Sequence, residues 1–429
     1  MNRRKFLESA AIFGVAGLAG NPIRGESGPS KHGVAGGIKG FSELSTRLRA
    51  ARRQRFLRTE GIKDPIILKS LRVLTRDGQY FIEARDKDGA VGLAMGNRSR
   101  LGQSYTITSK RLAKFYVGKD MRNYEDHLDA LWVHDSTYKW QGLPLWVNVA
   151  GCELAILDLI GKKTGQPVHA LLGDKVRDKV GLYYANGDRN HSAQWVVDKL
   201  REDVAESGAR AVKFKVGARM AMTQKSNARD KRLIPLMREA FGPEMVIYAD
   251  ANSSYDVPTA VYFGRMMEEN SFGFFEEPVP FDYLEETKAV ADALDIPIAG
   301  GEQESSLWNF EWLLANKALQ VVQPDLIYFG GLIRSLRVAA MARELGLACV
   351  PHISGPGLGS LYMAQFVSII PNTTDYQEYK GDPDPVPYQL TGTGKRLKAV
   401  DGKLPVPDGP GLGIEIDPGY LAGMQLAPA

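Results

Sequence analysis

From about Lys179 onward the sequence repeats one two-part unit, a short β-rich run followed by a helical stretch that often ends at Gly or before Pro. The runs are KVGLYYA, AVKFKVG, MVIYADAN, FGFFEEP, IPIAGGE, QVVQPDL and ACVPHIS, with a last one around DYQEYKG. Between them lie WVVDKLREDVAESG, TAVYFGRMMEEN, DYLEETKAVADALD and IRSLRVAAMARELG. Such alternation demands parallel strands joined by right-handed crossovers, and seven or eight units favour a closed barrel over an open sheet. The open doubly wound sheet is the alternative, but no Gly-rich phosphate loop follows the first strand.

A titratable residue stands at the C-terminal end of nearly every run: Lys213 and Lys215, Asp250, Glu276 and Glu277, Glu302, Asp325, His352 and Glu378, spaced 23 to 35 residues apart. In a closed barrel those ends meet at one mouth, whereas independently scattered surface charges would not be phased to the strands. Asp250, Glu276 and Glu302 end three successive strands. Three hard oxygen ligands with no histidine or cysteine among them suit Mg²⁺ better than Zn²⁺; taken singly, each acid reads equally well as a helix cap or a surface charge. Asp325 and His352 end the next two. A carboxylate beside an imidazole fixes the ring's tautomer and leaves one nitrogen to move a proton, the alternative being a satisfied buried histidine. The absence of G-x-S-x-G argues against a serine hydrolase.

In AVKFKVG, alternation points Val212, Phe214 and Val216 toward covering helices, and Lys213 and Lys215 together into the barrel. Two ammonium groups near each other and near a divalent cation are expected to have lowered pKa values; bringing one from about 10.4 to near 7 costs roughly 4 to 5 kcal/mol. One lysine is then a base and the other an anion-binding cation.

These motifs resemble the enolase superfamily, and within it the mandelate racemase subgroup. The resemblance covers nearly all of the chain after its N-terminal segment: ELAILDLIGKKTGQPVHALLG, the KxK of Lys213 and Lys215, YADAN, FEEP, GGE, QPD with its following GG, PHISGPGLG and PDGPGLGIEID. It implies a (β/α)7β TIM-like barrel with an N-terminal α+β capping domain and a C-terminal segment returning to the cap. It also implies one Mg²⁺ per subunit on Asp250, Glu276 and Glu302, and a small carboxylate substrate with an acidic α-proton. Lys215 and the His352/Asp325 pair would face opposite sides of that carbon. Lys213 would hold a carboxylate oxygen, and Glu378 would donate a hydrogen bond to the enediolate. Cycloisomerase and succinylbenzoate synthase types resemble the chain in the KxK and ligands but carry lysine where Asp325 stands, and enolase itself lacks the KxK. The resemblance favours dehydration of a sugar acid over racemisation or epimerisation of a 2-hydroxy or amino acid. A non-catalytic periplasmic acid-binding protein is the reading of another class, and it would be expected to have lost a base or a ligand.

Substrate contacts are expected from Asn252 in YADAN, from Asn97, Arg98 and Arg100 in the cap loop AMGNRSR, and from Tyr184 or Tyr183, of which alternation lets only one face inward. Exposed loop polarity is the competing reading for the cap residues.

The start of the chain, MNRRKFLESAAIFGVAGLAG, has a positive head, a short apolar run and then small residues, which is the layout of an export signal. Asn2 to Leu7 resembles the twin-arginine type, so a periplasmic or otherwise exported protein is expected, with no membrane partner in its mature form. The expected divisions are 1–20 signal, 21–60 linker and basic arm, 61–175 cap, 176–380 barrel and 381–429 returning segment. Thr46 to Arg58 is locally basic and is read as a solvated helix or arm. Elsewhere no apolar run of membrane-spanning length is expected. VAGCELAILDLI reads as a helix closed by Gly161 and Pro167, and Ile66 to Gly96 as an antiparallel meander turning at Asp-Gly pairs. With 54 basic against 50 acidic residues, net charge makes no case for a nucleic-acid partner. The only cysteines, Cys152 and Cys349, sit among small and apolar residues and are read as buried free thiols. A homo-oligomer is expected from the subgroup.

Overall fold

The computed structural model describes residues 43–353, 358–381 and 385–428, and the cap and barrel both belong to the compact unit that begins at Leu44. Residues 1–20, with the expected export signal, lie outside the described residues.

The cap is built on a meander of β1 (Leu68–Arg76), β2 (Gln79–Asp86) and β3 (Val91–Met95), paired antiparallel in that order. Asp77 and Gly78 both take positive φ between β1 and β2, the left-handed pair that a tight hairpin turn requires. Behind the sheet runs α1 (Leu143–Thr164), in which every residue from Leu145 to Gly161 is buried. Gly161 does not end this helix. It lies inside, where an added Cβ would sit 2.6 Å from the Gly411 backbone, so the residue permits close approach and the turn falls to left-handed Gly165. The expectation of no further apolar run of spanning length also fails at α1, which is long and apolar enough to cross a membrane; its apolar stretch is instead 89% buried inside the protein.

Eight parallel strands follow: β4 (Lys179–Ala185), β5 (Ala211–Lys215), β6 (Val246–Asp250), β7 (Phe274–Glu276), β8 (Ile298–Gly300), β9 (Val321–Val322), β10 (Ala348–Cys349) and β11 (Tyr376–Tyr379). Their hydrogen-bonded order is β10-β9-β8-β7-β6-β5-β4-β11, so the last strand pairs with the first and the sheet curls into the (β/α)7β barrel. Seven helices alternate with them: α2 (Ala193–Ser207), α3 (Gln224–Phe241), α4 (Val257–Glu269), α5 (Leu284–Ala293), α6 (Leu307–Ala315), α7 (Leu332–Arg343) and α8 (Leu358–Val367). After the barrel the chain runs back to the cap, where Gln425 and Leu426 pair with Thr75 and Leu74 of β1.

Alternation divides the barrel core in two. Val212, Phe214 and Val216 belong to the layer between sheet and helices. Tyr183, Ala211, Tyr248, Phe274, Ala299, Val321 and Val350 form a separate cluster inside the barrel, its floor.

Of the two readings of the basic segment, a solvated helix or an arm, the helix holds, and one face of it is buried rather than solvated. Residues 44–52 are helical, and Leu48, Ala51 and Leu57 are buried. Arg47 pairs with Glu344, Arg49 and Arg52 with Glu311, Arg55 with Asp126 and Arg58 with Asp174, so its charges are matched by acids of the barrel helices and the cap. Both cysteines are buried and free, and burial pushes the Cys152 thiol up to about 12.

Candidate active site at the barrel mouth

Each inward floor residue is followed, two positions on, by an inward residue nearer the strand's C-terminal end. Ala211 leads to Lys213 and Lys215, Tyr248 to Asp250, Phe274 to Glu276, Val350 to His352 and Tyr376 to Glu378. Where the strands end the backbone turns sharply: Asn252, Ser253 and Glu277 adopt positive φ. For non-glycine residues that costs roughly 1–2 kcal/mol each, a cost typical of functional sites.

Asp250, Glu276 and Glu302 are brought together, all buried, each with a carboxylate oxygen within 4.8 Å of the others'. Three buried acids at this separation repel unless cations neutralise them. Lys215 Nζ bonds Asp250 Oδ2, and Lys213 Nζ lies 2.6 Å from Glu276 Oε2 and 3.0 Å from Glu378 Oε1. For Asp250, burial works upward, but Lys215, Lys213 and Arg189 outweigh it and hold the carboxyl at about 2. Glu276 goes the other way, to about 7, through burial and then the charges of Asp250 and Glu302. Among the described residues its Oε1 is buried with no hydrogen-bond donor, and Glu302 Oε2 faces His352 Nε2 at 3.1 Å without hydrogen-bond geometry. Acceptor oxygens left over at a cluster of three acids are the donor set a hard divalent cation takes, so these residues fit Mg²⁺.

The expected lowering of both lysine pKa values is not found at Lys213. Burial acts in that direction, but Glu276 and Glu378 overcome it and hold the ammonium well above its usual value. Lys213 is therefore a fixed cation.

His352 Nδ1 sits 2.6 Å from Asp325 Oδ2, while Asp325 Oδ1 accepts the backbone N–H groups of Ile327 and Tyr328. The aspartate is thus held from both sides and orients the ring with Nε2 toward the carboxylates. Burial lowers the imidazole's pKa, yet Glu302 and Glu378 more than offset it and the net shift is upward.

Glu378 departs from its expected role as a donor. It accepts from Ile353 N–H at 3.1 Å and pairs with Lys213 and Lys380, and although burial opposes ionisation these cations hold it well below the usual carboxylate range. An ionised carboxylate has no proton to donate.

Asn252 lies within the cluster, its Nδ2 3.3 Å from Glu302 Oε1 and its Oδ1 2.6 Å from Arg189 Nη2. The two tyrosines resolve cleanly. Tyr183 faces inward with Lys213 Nζ 5.2 Å from its ring centre, whereas Tyr184 faces outward, packing on Tyr379 and lying near Asp203 of α2. Tyr184 thus does not reach the mouth. In the cap loop, Asn97 caps the short helix Arg98–Ser104 by accepting from Arg100 N–H, and Arg98 lies beside Gly78 at the β1–β2 turn. Arg100 is the loop residue that comes near the barrel, its charge acting on Tyr328 three residues beyond Asp325.

Besides Arg189, two mouth residues went unread in the sequence. Lys380 Nζ is 3.3 Å from His352 Nε2 and 3.1 Å from Glu378 Oε2, and Gln323 donates to Glu276 Oε2 at 3.0 Å. Both follow the period of two already in use, one position pair beyond Glu378 and one before Asp325.

Comparison with known proteins agrees with this geometry. Residues 195–420 match the family model described as "Enolase C-terminal domain-like". Arabinonate dehydratase of Saccharolobus solfataricus is 28% identical over 84% of this chain and 95% of its own. L-talarate/galactarate dehydratase of Salmonella typhimurium is 30% identical over 66% and 69%. Among solved structures, a mandelate racemase/muconate lactonizing protein from Paracoccus denitrificans, complexed with magnesium, is 27% identical and superposes with a TM-score of 0.76 over 84% of this chain and 99% of its own.

Proposed function

Because the chain belongs to the enolase superfamily, with its C-terminal domain of the mandelate racemase and muconate lactonizing type, we propose that it removes the α-proton of a sugar acid and expels the β-hydroxyl as water. The observation that carries this reading is the convergence, on one buried carboxylate cluster, of Lys215 from the second barrel strand and the Asp325-held His352 from beyond the seventh. Mg²⁺ on Asp250, Glu276 and Glu302 would supply a fixed positive charge for the substrate carboxylate, lowering the cost of the dianion that proton loss creates.

The rest falls to the chain's own groups. Lys213, a permanent cation between Glu276 and Glu378, binds a carboxylate oxygen. Lys215 takes the α-proton. His352, oriented by Asp325, delivers a proton from Nε2 to the departing hydroxyl, so that water leaves and the enol tautomerises to a 2-keto-3-deoxy acid. Glu378 positions Lys213 and Lys380 rather than donating. The same two bases support racemisation or epimerisation when the second returns a proton to the α-carbon, and the products tell these outcomes apart. Incubation with Mg²⁺ and a panel of aldonic and aldaric acids should give the 2-keto acid, detected by carbonyl derivatisation. Inverted α-centres without keto product would replace dehydratase by epimerase, and an unchanged panel would return the chain to a binding role.

Export through the twin-arginine segment is part of the proposal and rests on Asn2 to Leu7; cell fractionation with and without residues 1–20 tests it. The proposed homo-oligomer is tested by sedimentation.

A further inference from the structure

Among the described residues, two guanidinium groups at the edge of the mouth are paired with no carboxylate. Arg189 lies in the loop after β4 and Arg219 in the loop after β5, and both donate to one neutral atom, Asn252 Oδ1, from their Nη2 atoms at 2.6 and 3.4 Å. Asn252 in turn reaches Glu302 Oε1 through Nδ2 at 3.3 Å, so the two arginines stand one amide group away from the carboxylate cluster.

Bringing two like charges to one acceptor is unfavourable, and the fold does it on a strained backbone. Arg219 and Met220 both take positive φ, at 52° and 55°, and the Met220 N–H is pinned to the Asn252 carbonyl at 2.9 Å. Holding the mouth loops together accounts for Arg189 Nε on the Val216 carbonyl at 3.3 Å. It does not account for a second guanidinium on the same amide oxygen. Nor does it account for Arg189 Nη1, which among the described residues is neither bonded nor enclosed, beside an Arg219 that is itself exposed. Burial, with the charges of Arg219 and Arg229, outweighs the attraction of Asp250 and Glu302, and the net shift of the Arg189 pKa is downward. The acids of the cluster therefore leave this guanidinium unsatisfied, and a divalent cation seated on them would leave it more so.

We propose that Arg189 and Arg219 clamp the distal carboxylate of the substrate, which makes that substrate an aldaric acid, with a carboxylate at each end. The clamp presupposes that the mouth takes a sugar acid, as proposed above, with the near carboxylate on Lys213.

A panel of matched acids that differ only at the last carbon, carboxylate or hydroxymethyl, tests this; galactarate and galactonate are one such pair. With Mg²⁺, kcat/KM should favour the aldaric member by about a hundred-fold or more, and Arg219→Gln should cut that preference about ten-fold, through KM rather than kcat. Arg189→Lys, which keeps the charge and loses the fork, should cut it too. Binding is read separately in Lys215→Ala, which cannot take the α-proton. There calorimetry should show the aldaric acid bound more tightly than its partner, and Arg219→Gln added to that variant should remove the difference. No preference for aldaric acids, or a preference unchanged in both arginine variants, would overturn the clamp and leave dehydration standing. If no sugar acid is turned over, dehydration falls, and equal or absent binding of the two acids to Lys215→Ala would overturn the clamp as well.

Discussion

The floor and the mouth of the barrel are made by the same strands, on the same inward face, two residues apart, and their chemistry is opposite. At the floor Tyr248 stacks on Phe274 at 3.9 Å and 9°, with Ala211, Ala299, Val321 and Val350 completing an apolar plug. One position pair later Asp250 and Glu276 are equally buried acids, each bonded to a lysine, with Asp250 held ionised and Glu276 pushed up to about 7. Burial at the floor lowers the free energy of folding. Burial at the mouth opposes it, and is tolerated because each charge has a partner and the groups gain strength in a water-poor site.

The largest effects that can break this comparison are on turnover. Lys215→Ala and His352→Asn should each lower kcat by about 10²–10⁴-fold while leaving the thermal transition nearly in place; activity retained in both would show that the mouth is not the reaction centre. At the floor the result should invert. Phe274→Ala removes a fully buried ring and should cost about 3–5 kcal/mol in denaturant unfolding, with the residual folded protein still able to bind Mg²⁺.

A buried acid outside the mouth sharpens the contrast, because among the described residues no lysine bonds it. Glu153 on α1 accepts the Ile333 backbone N–H at 3.0 Å, and burial raises its pKa from 4.5 to about 8. A carboxyl whose folded value lies above its unfolded one favours folding fully below the unfolded value and loses that contribution as pH rises to the folded one. Wild-type stability should therefore fall, relative to Glu153→Gln, between pH 4.5 and about 8, by on the order of a few kcal/mol. Parallel stability profiles for the two proteins would refute the assignment. The smallest effect is expected at Lys380→Met, about ten- to a hundred-fold in kcat for one charged hydrogen bond, with folding unaffected.

Much of the molecule was legible because a barrel strand has a period of two. The phasing of Lys213, Lys215, Asp250 and Glu276 in the sequence is the phasing of the mouth, and the Asp-Gly turn of the cap meander was equally local. Misreadings occurred where a residue's role depends on distant chain. Gly161 reads as a helix terminator until Gly411 is seen packed against it. Thr46 to Arg58 reads as a fully solvated helix or arm because its acids, from Asp126 to Glu344, are far away in sequence. Glu378 looks like a donor until Lys213, Lys380 and Ile353 N–H are found around it. Arg98 and Arg100 cannot be ranked without knowing which way the cap helix turns, and α1 passes for a membrane span until its burial is known.

The central claim is that Lys215 takes the α-proton of a sugar acid and His352 protonates the β-hydroxyl that leaves it. Solvent deuterium exchange followed by proton NMR, with Mg²⁺ and a sugar acid turned over by the wild type, tests it most directly. The α-proton signal should vanish as product forms in the wild type. In His352→Asn, where Lys215 remains but departure of the hydroxyl is impaired, substrate should exchange its α-proton without elimination, and Lys215→Ala should abolish exchange. Exchange at the wild-type rate in Lys215→Ala, or elimination at the wild-type rate in His352→Asn, would contradict the account.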